Sequence, residues 1–279
     1  MSGAGNIFTV IDNSEYRLTH EQLVKLSPLF CQTKTYKTEG LLVMNKDDSY
    51  AFRSDFYNPD GSFGAMCGNG ARCAVAFSNK NKLFNIEFYP NEILFFMCGR
   101  DYIGRYNEKN IIIYFPPPIK IQSNLAVKVE NVTLSEVVGT YVDIGSKHFV
   151  VNIRKQTQWK DKPIDEFDLF GIAPEFRYHP KFAPDGVNFN VYEVKYKNTI
   201  ILRTYEKGVE SETGACGTGA ISTALVSVMN NETFFPVSVI PTSKIPLIVN
   251  IVGTINKIEK LSLEGPAEFI GFSEIEITV

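Results

Sequence analysis

Much of the chain alternates apolar and polar positions every second residue, the period of a half-buried strand. In residues 85–89, Ile86 and Phe88 stand between Asn85, Glu87 and Tyr89. Residues 91–98 and 110–115 read as the next strands. Pro116, Pro117 and Pro118 follow at once. None of the three can donate to a sheet ladder, so they predict a domain boundary. Beyond them strand patterns restart at 141–153, 187–196 and 199–205. Residues 236–240 and 247–255 read as a closing pair, and 261–279 alternates again around Gly265 and Pro266. Few segments read as helix. Residues 19–26 open on Thr19 as a plausible N-cap, with Glu21 and Gln22 behind it. Residues 71–78 and 220–229 are rich in Ala and other apolar residues.

The runs leading into those last two helices repeat. Ala65-Met66-Cys67-Gly68-Asn69-Gly70-Ala71 is matched by Gly214-Ala215-Cys216-Gly217-Thr218-Gly219-Ala220. The copies lie about half the chain apart, one on each side of the prolines. This predicts an α+β protein of two pseudo-symmetric domains, with the two cysteines facing each other across the cleft between them. The expected domains are 1–118 with 268–279, carrying Cys67, and 119–267, carrying Cys216.

Composition narrows the function class. Lys plus Arg is 28 against 31 Asp plus Glu, a net charge of −3. Such a chain has no overall electrostatic reason to seek nucleic acid or an anionic membrane. No apolar run reaches the roughly 18 residues of a membrane helix. The opening residues carry no basic region or apolar signal core, so a cytoplasmic location is expected. Five cysteines are an odd number, which argues for thiols and not a disulfide framework. There are three histidines, and the Cys-x-x-Cys and His-x-x-x-His spacings of a zinc site are missing, so no metal is expected.

A thiolate, not a thiol, is the reactive form of cysteine, and a helix N-terminus favours the anion. The glycines of a Cys-Gly-x-Gly loop let its N–H groups close on a carboxylate. Two such loops suit inversion at a carbon next to a carboxylate. One sulfur removes the α-hydrogen from one face, and the other returns a hydrogen to the opposite face. N–H donors hold the carboxylate as negative charge grows on it. This chemistry needs no cofactor. The chain also lacks a Gly-x-Gly-x-x-Gly unit after a strand and a Walker-type loop.

At these residues the chain resembles the diaminopimelate epimerase family, cofactor-independent two-cysteine racemases. Further blocks carry the resemblance: Ser2 to Phe8, Tyr57 to Ser62, Met66 to Cys73, Gly145 to His148, Gly186 to Asn190, Tyr205 to Gly219, and Leu263 to Ala267. The resemblance implies catalysis by Cys67 and Cys216. It implies substrate contacts from Asn6, Asn58, Gly68, Asn69, Asn188, Glu206, Lys207, Gly217 and Thr218. It also implies that His148 and Glu206 bias the ionisation of the thiols. The implied fold is two similar domains, each a β-barrel-like sheet around a central helix. The implied partner is a small amino-acid substrate, and the implied assembly a homodimer.

Ile7 stands where the family has Asp, Ser146 where it usually has Asn, Lys147 for Pro and Lys207 for Arg. Serine still hydrogen-bonds with less reach, and lysine keeps the charge without the bidentate fork. The expected reaction is conversion of LL-diaminopimelate to the meso form. A related racemase acting on a different amino acid is the alternative. A binding protein that keeps the fold without turnover has no need of both cysteines. Cys31, Cys73 and Cys98 read as core, and His20 and His179 as ordinary.

Overall fold

The computed structural model describes residues 1–33, 35–64, 66–83, 92–107, 110–129 and 136–276. The strand expected at 85–89 lies outside the described residues. The chain forms two compact units, Met1–Tyr114 with Glu264–Val279, and Phe115–Leu263. The domain limits expected from sequence, 118/119 and 267/268, fall at the last of the three prolines and just after Pro266.

The first unit opens with a hairpin of β1 (Ser2–Gly3) and β2 (Asn6–Ile7), turned by Ala4 and Gly5 at φ 56° and 98°. β3 (Thr9–Asp12), β4 (Leu41–Asn45), β5 (Arg53–Tyr57), β6 (Ile93–Met97), β7 (Arg100–Asn107) and β8 (Asn110–Phe115) then lie side by side in that order. β3 and β4 are parallel, β4 and β5 antiparallel, β5 and β6 parallel, and β6 and β7 antiparallel. Helix α1 (His20–Cys31) joins β3 to β4, and α2 (Gly68–Lys80) joins β5 to β6.

The second unit repeats the scheme. Its sheet runs β9 (Lys120–Lys128), β10 (Glu136–Asp143), β11 (Lys147–Asn152), β12 (Asn188–Tyr196), β13 (Thr199–Glu206), β15 (Val237–Ile240) and β16 (Leu247–Thr254). The two-residue β14 (Ser211–Glu212) hangs on β13, and β17 (Lys257–Pro266) follows β16. β11 and β12 are parallel, β12 and β13 antiparallel, β13 and β15 parallel, and β15 and β16 antiparallel. Helix α3 (Leu169–Arg177) joins β11 to β12, and α4 (Gly217–Met229) joins β13 to β15. The pairing order parallel, antiparallel, parallel, antiparallel thus occurs twice. The thiol-headed helix is the second crossover both times, an arrangement of the α+β class.

Local chemistry explains the helices. Thr19 caps α1 as a capping box: its hydroxyl accepts from the Gln22 N–H, and the Gln22 side chain accepts from the Thr19 N–H. The helix continues past the expected Leu26 to Cys31, carrying Pro28. Helix α3 has no counterpart in the sequence pattern, because Gly171 and Pro174 interrupt it. Asp168 starts it by accepting from the Gly171 N–H at 2.9 Å. Phe176 on α3 stacks on Phe189 of β12, centroids 4.3 Å apart, inside an aromatic core with Phe149, Phe182, Trp159 and Phe167. Helix α4 is apolar almost all round and correspondingly buried, touching β10 to β13, β15 and β16. Two strand readings are corrected. Residues 141–153 hold a turn at 144–146 between β10 and β11, and the alternation after residue 261 ends as strand at Pro266.

In the first unit the Phe56 ring is set between two glycines. A Cβ on Gly40 would stand 2.1 Å from Phe56 Cε2 and 2.9 Å from the Tyr57 carbonyl, and one on Gly64 would stand 2.2 Å from Phe56 Cδ1. Overpacking of this kind costs about 1–3 kcal/mol. Gly40→Ala should therefore lower the urea midpoint of unfolding without altering the slope. An unchanged midpoint would show that the ring has room to move.

Candidate active site

Each thiol loop is a strand-to-helix turn. Cys67 is the N-cap of α2 at φ −112°, ψ 118°, and Cys216 the N-cap of α4 at φ −99°, ψ 110°. The two cysteines therefore share nearly the same extended backbone geometry, each at a helix start, whose first N–H groups have no partner within the helix itself. The first turns carry Gly68, Asn69 and Gly70, and Gly217, Thr218 and Gly219.

In the second unit the Cys216 sulfur accepts from the Gly219 N–H at 3.4 Å and lies 3.6 Å from Thr218 Oγ1. The Glu206 carboxyl hydrogen-bonds to Cys216 and accepts from Thr213 Oγ1 at 2.7 Å. Glu206 is only half-buried as a residue, yet its carboxyl is desolvated. Burial raises its pKa above the usual glutamate value, and the bonds from Thr213 and Cys216 pull it back.

Under this loop a polar row crosses three strands. The parallel register sets His148 beside Asn188 and Val150 beside Asn190, and Asn190 pairs with Thr204. Thr204 Oγ1 donates to Asn190 Oδ1 at 2.9 Å, so Asn190 Nδ2 faces His148 Nδ1, 3.0 Å away. His148 is fully buried, and burial pushes its pKa down to about 3. It is neutral at physiological pH and acts on its surroundings as a dipole, not a cation. Its Nε2 has no partner among the described residues. The row leaves no room above it: a Cβ on Gly219 would stand 2.7 Å from Asn190 Oδ1 and 3.1 Å from Thr204 Oγ1.

Asn188 is occupied in holding two turns. Its Nδ2 donates to Ser146 Oγ at 3.1 Å and to the Lys147 carbonyl at 2.9 Å, and its Oδ1 accepts from the Lys207 N–H at 2.8 Å. Lys147 is ion-paired with Asp185, and Lys207 is exposed.

In the first unit the β1–β2 hairpin lies on the start of α2. A Cβ on Gly3 would meet the Asn69 carbonyl at 2.6 Å, and Gly3 pairs with Asn6. Asn6 is buried, donates to Glu39 Oε2 at 2.5 Å, and keeps Oδ1 unsatisfied among the described residues. A buried acceptor of this kind suits an ammonium or N–H of a ligand. Asn58 shapes its own loop, its Nδ2 donating to Ser62 Oγ at 2.9 Å. Asn69 is buried, its Oδ1 accepting from Arg72 Nη2 at 2.7 Å.

Sequence reasoning missed Asn190, Thr204, Thr213 and Arg72. The first three are legible only once strand register is known. Arg72 had a signal: a charge inside a run of small residues on a buried helix. Cys73 is fully buried, and desolvation pushes its thiol up to about 12. Cys98 is likewise pushed to about 12, and burial also raises Cys31.

Known proteins resemble this chain in sequence and in fold. A family profile described as diaminopimelate epimerase matches residues 1–88 and 140–240. A diaminopimelate epimerase from Chlorobaculum tepidum is 30% identical over 284 residues, covering 97% of each chain. One from Aquifex aeolicus is 32% identical over 238 residues, 82% of this chain and 80% of its own. Among solved structures, a phenazine biosynthesis protein from Bacillus anthracis superposes with a TM-score of 0.71 at 13% identity, covering 99% of this chain and 95% of its own. A hydroxyproline epimerase from Agrobacterium vitis does so at 0.65 and 13%, covering 97% and 89%. At such identity these two show the fold alone. Fold and relatives together define an isomerase, an amino-acid racemase or epimerase. More particularly, the chain belongs to the diaminopimelate epimerase family.

The low pKa of His148 has a consequence for stability. The folded protein keeps the ring neutral, whereas the unfolded chain binds a proton near pH 6.5. The unfolded state thus holds more protons between about pH 6.5 and 3, and stability falls as pH drops through that window. His148→Gln should flatten this part of the pH–stability curve relative to the parent. Thermal unfolding midpoints measured at pH 7, 6, 5 and 4 check this, and parallel curves would refute it.

Proposed function

We propose that the protein inverts one α-carbon of 2,6-diaminopimelate, converting the LL to the meso form, by acid–base chemistry between two thiols. The observation that carries this reading is the repeated device itself: a cysteine N-cap on the second crossover helix of each unit. As a thiolate, one sulfur takes the α-proton. As a thiol, the other delivers a proton to the opposite face. The helix-start N–H groups of Gly68–Asn69 and Gly217–Thr218 steady the carboxylate as charge develops. Asn6 Oδ1 is placed to accept from the substrate amine. Glu206 and the dipole of His148 act on the second thiol. No cofactor or metal enters the scheme. The product would feed lysine synthesis and peptidoglycan building. The reading includes a cytoplasmic homodimer, a location taken from the sequence and an assembly taken from the family resemblance.

One observation favours the second reading, a related racemase for another amino acid. The turn at Ser146–Lys147 and the residue Lys207 depart from the family pattern, and Lys147 is engaged by Asp185.

The deciding experiment is α-proton exchange in deuterated water, followed by NMR with LL-diaminopimelate and a panel of other amino acids. Exchange and inversion confined to diaminopimelate is the expected result, and exchange confined to another amino acid would replace the substrate. Cys67→Ala and Cys216→Ala should each abolish inversion, whereas Cys73→Ala should retain it. Inversion surviving in either of the first two variants would remove the two-thiol mechanism.

Lys207 tests the distal end of the substrate. A hydrogen bond to a charged group is worth about 1.5–3 kcal/mol, which is roughly 10- to 150-fold in kcat/KM. Lys207→Ala should lose that much on diaminopimelate and little on a short amino acid, and Lys207→Arg should match or exceed the parent. Equal losses on both substrates would mean that Lys207 does not read the far carboxylate.

A further inference from the structure

Lys207 stands on a turn, residues 206–210, that leads from β13 to β14. Residues 207–209 are exposed, including Val209, the one apolar side chain of the turn. Gly208 and Glu210 have φ of 90° and 54°, and the Glu210 N–H closes the turn on the Glu206 carbonyl at 2.8 Å. A turn that buries no apolar side chain takes its position from polar bonds to its neighbours. One is the bond from the Lys207 N–H to Asn188 Oδ1. The other is made by the Glu210 carboxylate, and it reaches Arg177.

Arg177 ends α3, and its side chain is 10% exposed. Its Nε and Nη2 both donate to Glu210 Oε1, at 3.1 and 2.9 Å, and the Gly208 N–H donates to the same oxygen at 3.2 Å. Its Nη1 donates to the Asp185 carbonyl at 3.2 Å, and its own carbonyl accepts from the Val187 N–H at 3.4 Å. The guanidinium also lies over the Tyr178 ring, 4.5 Å from its centroid. One side chain thus joins the end of α3, the turn at 185–187 and the turn at 206–210. Gly186 permits the close approach: its φ is 69°, and a Cβ there would stand 2.1 Å from Arg177 Nη1.

The two turns so joined carry the charges at this end of the unit. Asp185 is ion-paired with Lys147 and also interacts electrostatically with Lys207. Burial opposes ionisation of Glu210, but the bonds from the Gly208 N–H and Arg177 outweigh it and hold its pKa below the usual glutamate value. The Arg177–Glu210 pair is therefore charged at neutral pH, and removing one partner strands a largely buried charge. A lysine stem is long and flexible, so the reach of its ammonium depends on where its backbone is held. A backbone fixed in advance also lowers the ordering cost of binding.

We propose that Arg177 and Glu210 are positioning residues for substrate selection: their ion pair fixes the Lys207 turn against the Asp185 turn, and the far carboxylate of the substrate is recognised through it. The selection rests on the reading of Lys207 given above, whereas the fixing of the turn is a property of the ligand-free protein. Breaking the pair leaves the turn on its Asn188 bond and frees the Lys207 backbone to move. Glu206 at the base of the turn keeps its place, because β13 and the bonds to Thr213 and Cys216 hold it. The loss therefore falls on binding of the far end and spares the chemistry at the α-carbon.

The test has two readouts, amide hydrogen exchange of the ligand-free protein and steady-state kinetics. Glu210→Asn removes the long carboxylate while tolerating the positive φ, so backbone strain is not what changes. In this variant and in Arg177→Leu the amides of 207–210 should exchange about tenfold faster, with those of β12 unmoved. The KM for diaminopimelate should rise about tenfold with kcat within about threefold, the pattern of a lost binding contact. The inhibition constant of lysine, which is diaminopimelate without the far carboxylate, should hold. Glu210→Gln keeps an acceptor oxygen and should fall between the parent and Glu210→Asn. The double variant should be no worse than the worse single one, since both act through one pair. Unchanged exchange in folded Glu210→Asn overturns the fixing of the turn, even if Arg177→Leu does not fold. Faster exchange with equal losses for diaminopimelate and lysine, or with kcat falling alone, overturns the role in selection. A parent protein that does not turn over diaminopimelate removes the substrate reading and the selection with it, and the exchange result still decides whether the pair holds the turn.

Discussion

The candidate site depends on a helix start pressed onto a sheet with a cysteine as its N-cap residue. A helix normally covers its first turn with a side-chain cap, because four backbone donors there have no partner. Here the N-cap residue is a cysteine, whose sulfur accepts from the Gly219 N–H in the second unit, and the next turn is glycine-rich. Glycine is required at Gly219 by space: Asn190 and Thr204 already fill the volume that a Cβ would take. At Gly70 the constraint is milder, since a Cβ there would stand 3.3 Å from Leu42 Cδ2. The parallel crossover supplies the geometry: a loop carries the chain from β5 to α2 and from β13, past β14, to α4, and each helix leads on to a strand parallel to the one before it. Donors, sulfur and sheet are thus placed by one piece of backbone, used twice.

Repeating a backbone copies its donors and its helix dipole. Identical surroundings would give the two thiols identical pKa values. Any difference between them must come from side chains that the repeat does not share. The floor beneath α4 is a hydrogen-bonded row, His148, Asn190 and Thr204, with a carboxyl beside it. The start of α2 rests on Leu42 and holds a buried guanidinium. Such charges are worth most where water is excluded, because the local dielectric is low.

How much of this was legible depended on whether the signal was local. The Cys-Gly-x-Gly-Ala repeat, the Thr19 cap and the triple proline are read within a few residues, and each marks a feature of the fold. Helix α3 was hidden because Gly171 and Pro174 contradict its pattern, and burial of Phe176 against Phe189 overrides propensity. The turn between β10 and β11 was hidden because it is only three residues, Ile144, Gly145 and Ser146, between two strand-like runs. Asn190 and Thr204 are ordinary polar residues on strands until register puts one opposite the other. The charge of His148 was invisible for another reason. A histidine near a thiol invites a cationic reading, and only its complete burial makes it neutral.

Asn188 shows how a substitution in a neighbouring turn can be absorbed. Its amide makes three hydrogen bonds, two into the Ser146–Lys147 turn and one from the Lys207 backbone. An amide so engaged fixes the separation of those two segments whatever side chains they carry. Two of its three bonds go to backbone atoms, and the third needs only a hydroxyl acceptor, which Ser146 supplies as well as asparagine would. Replacing proline by Lys147 is accommodated in the same way, since the Lys147 side chain leaves the turn to reach Asp185. The scaffold can therefore hold its shape while the charges displayed on it change.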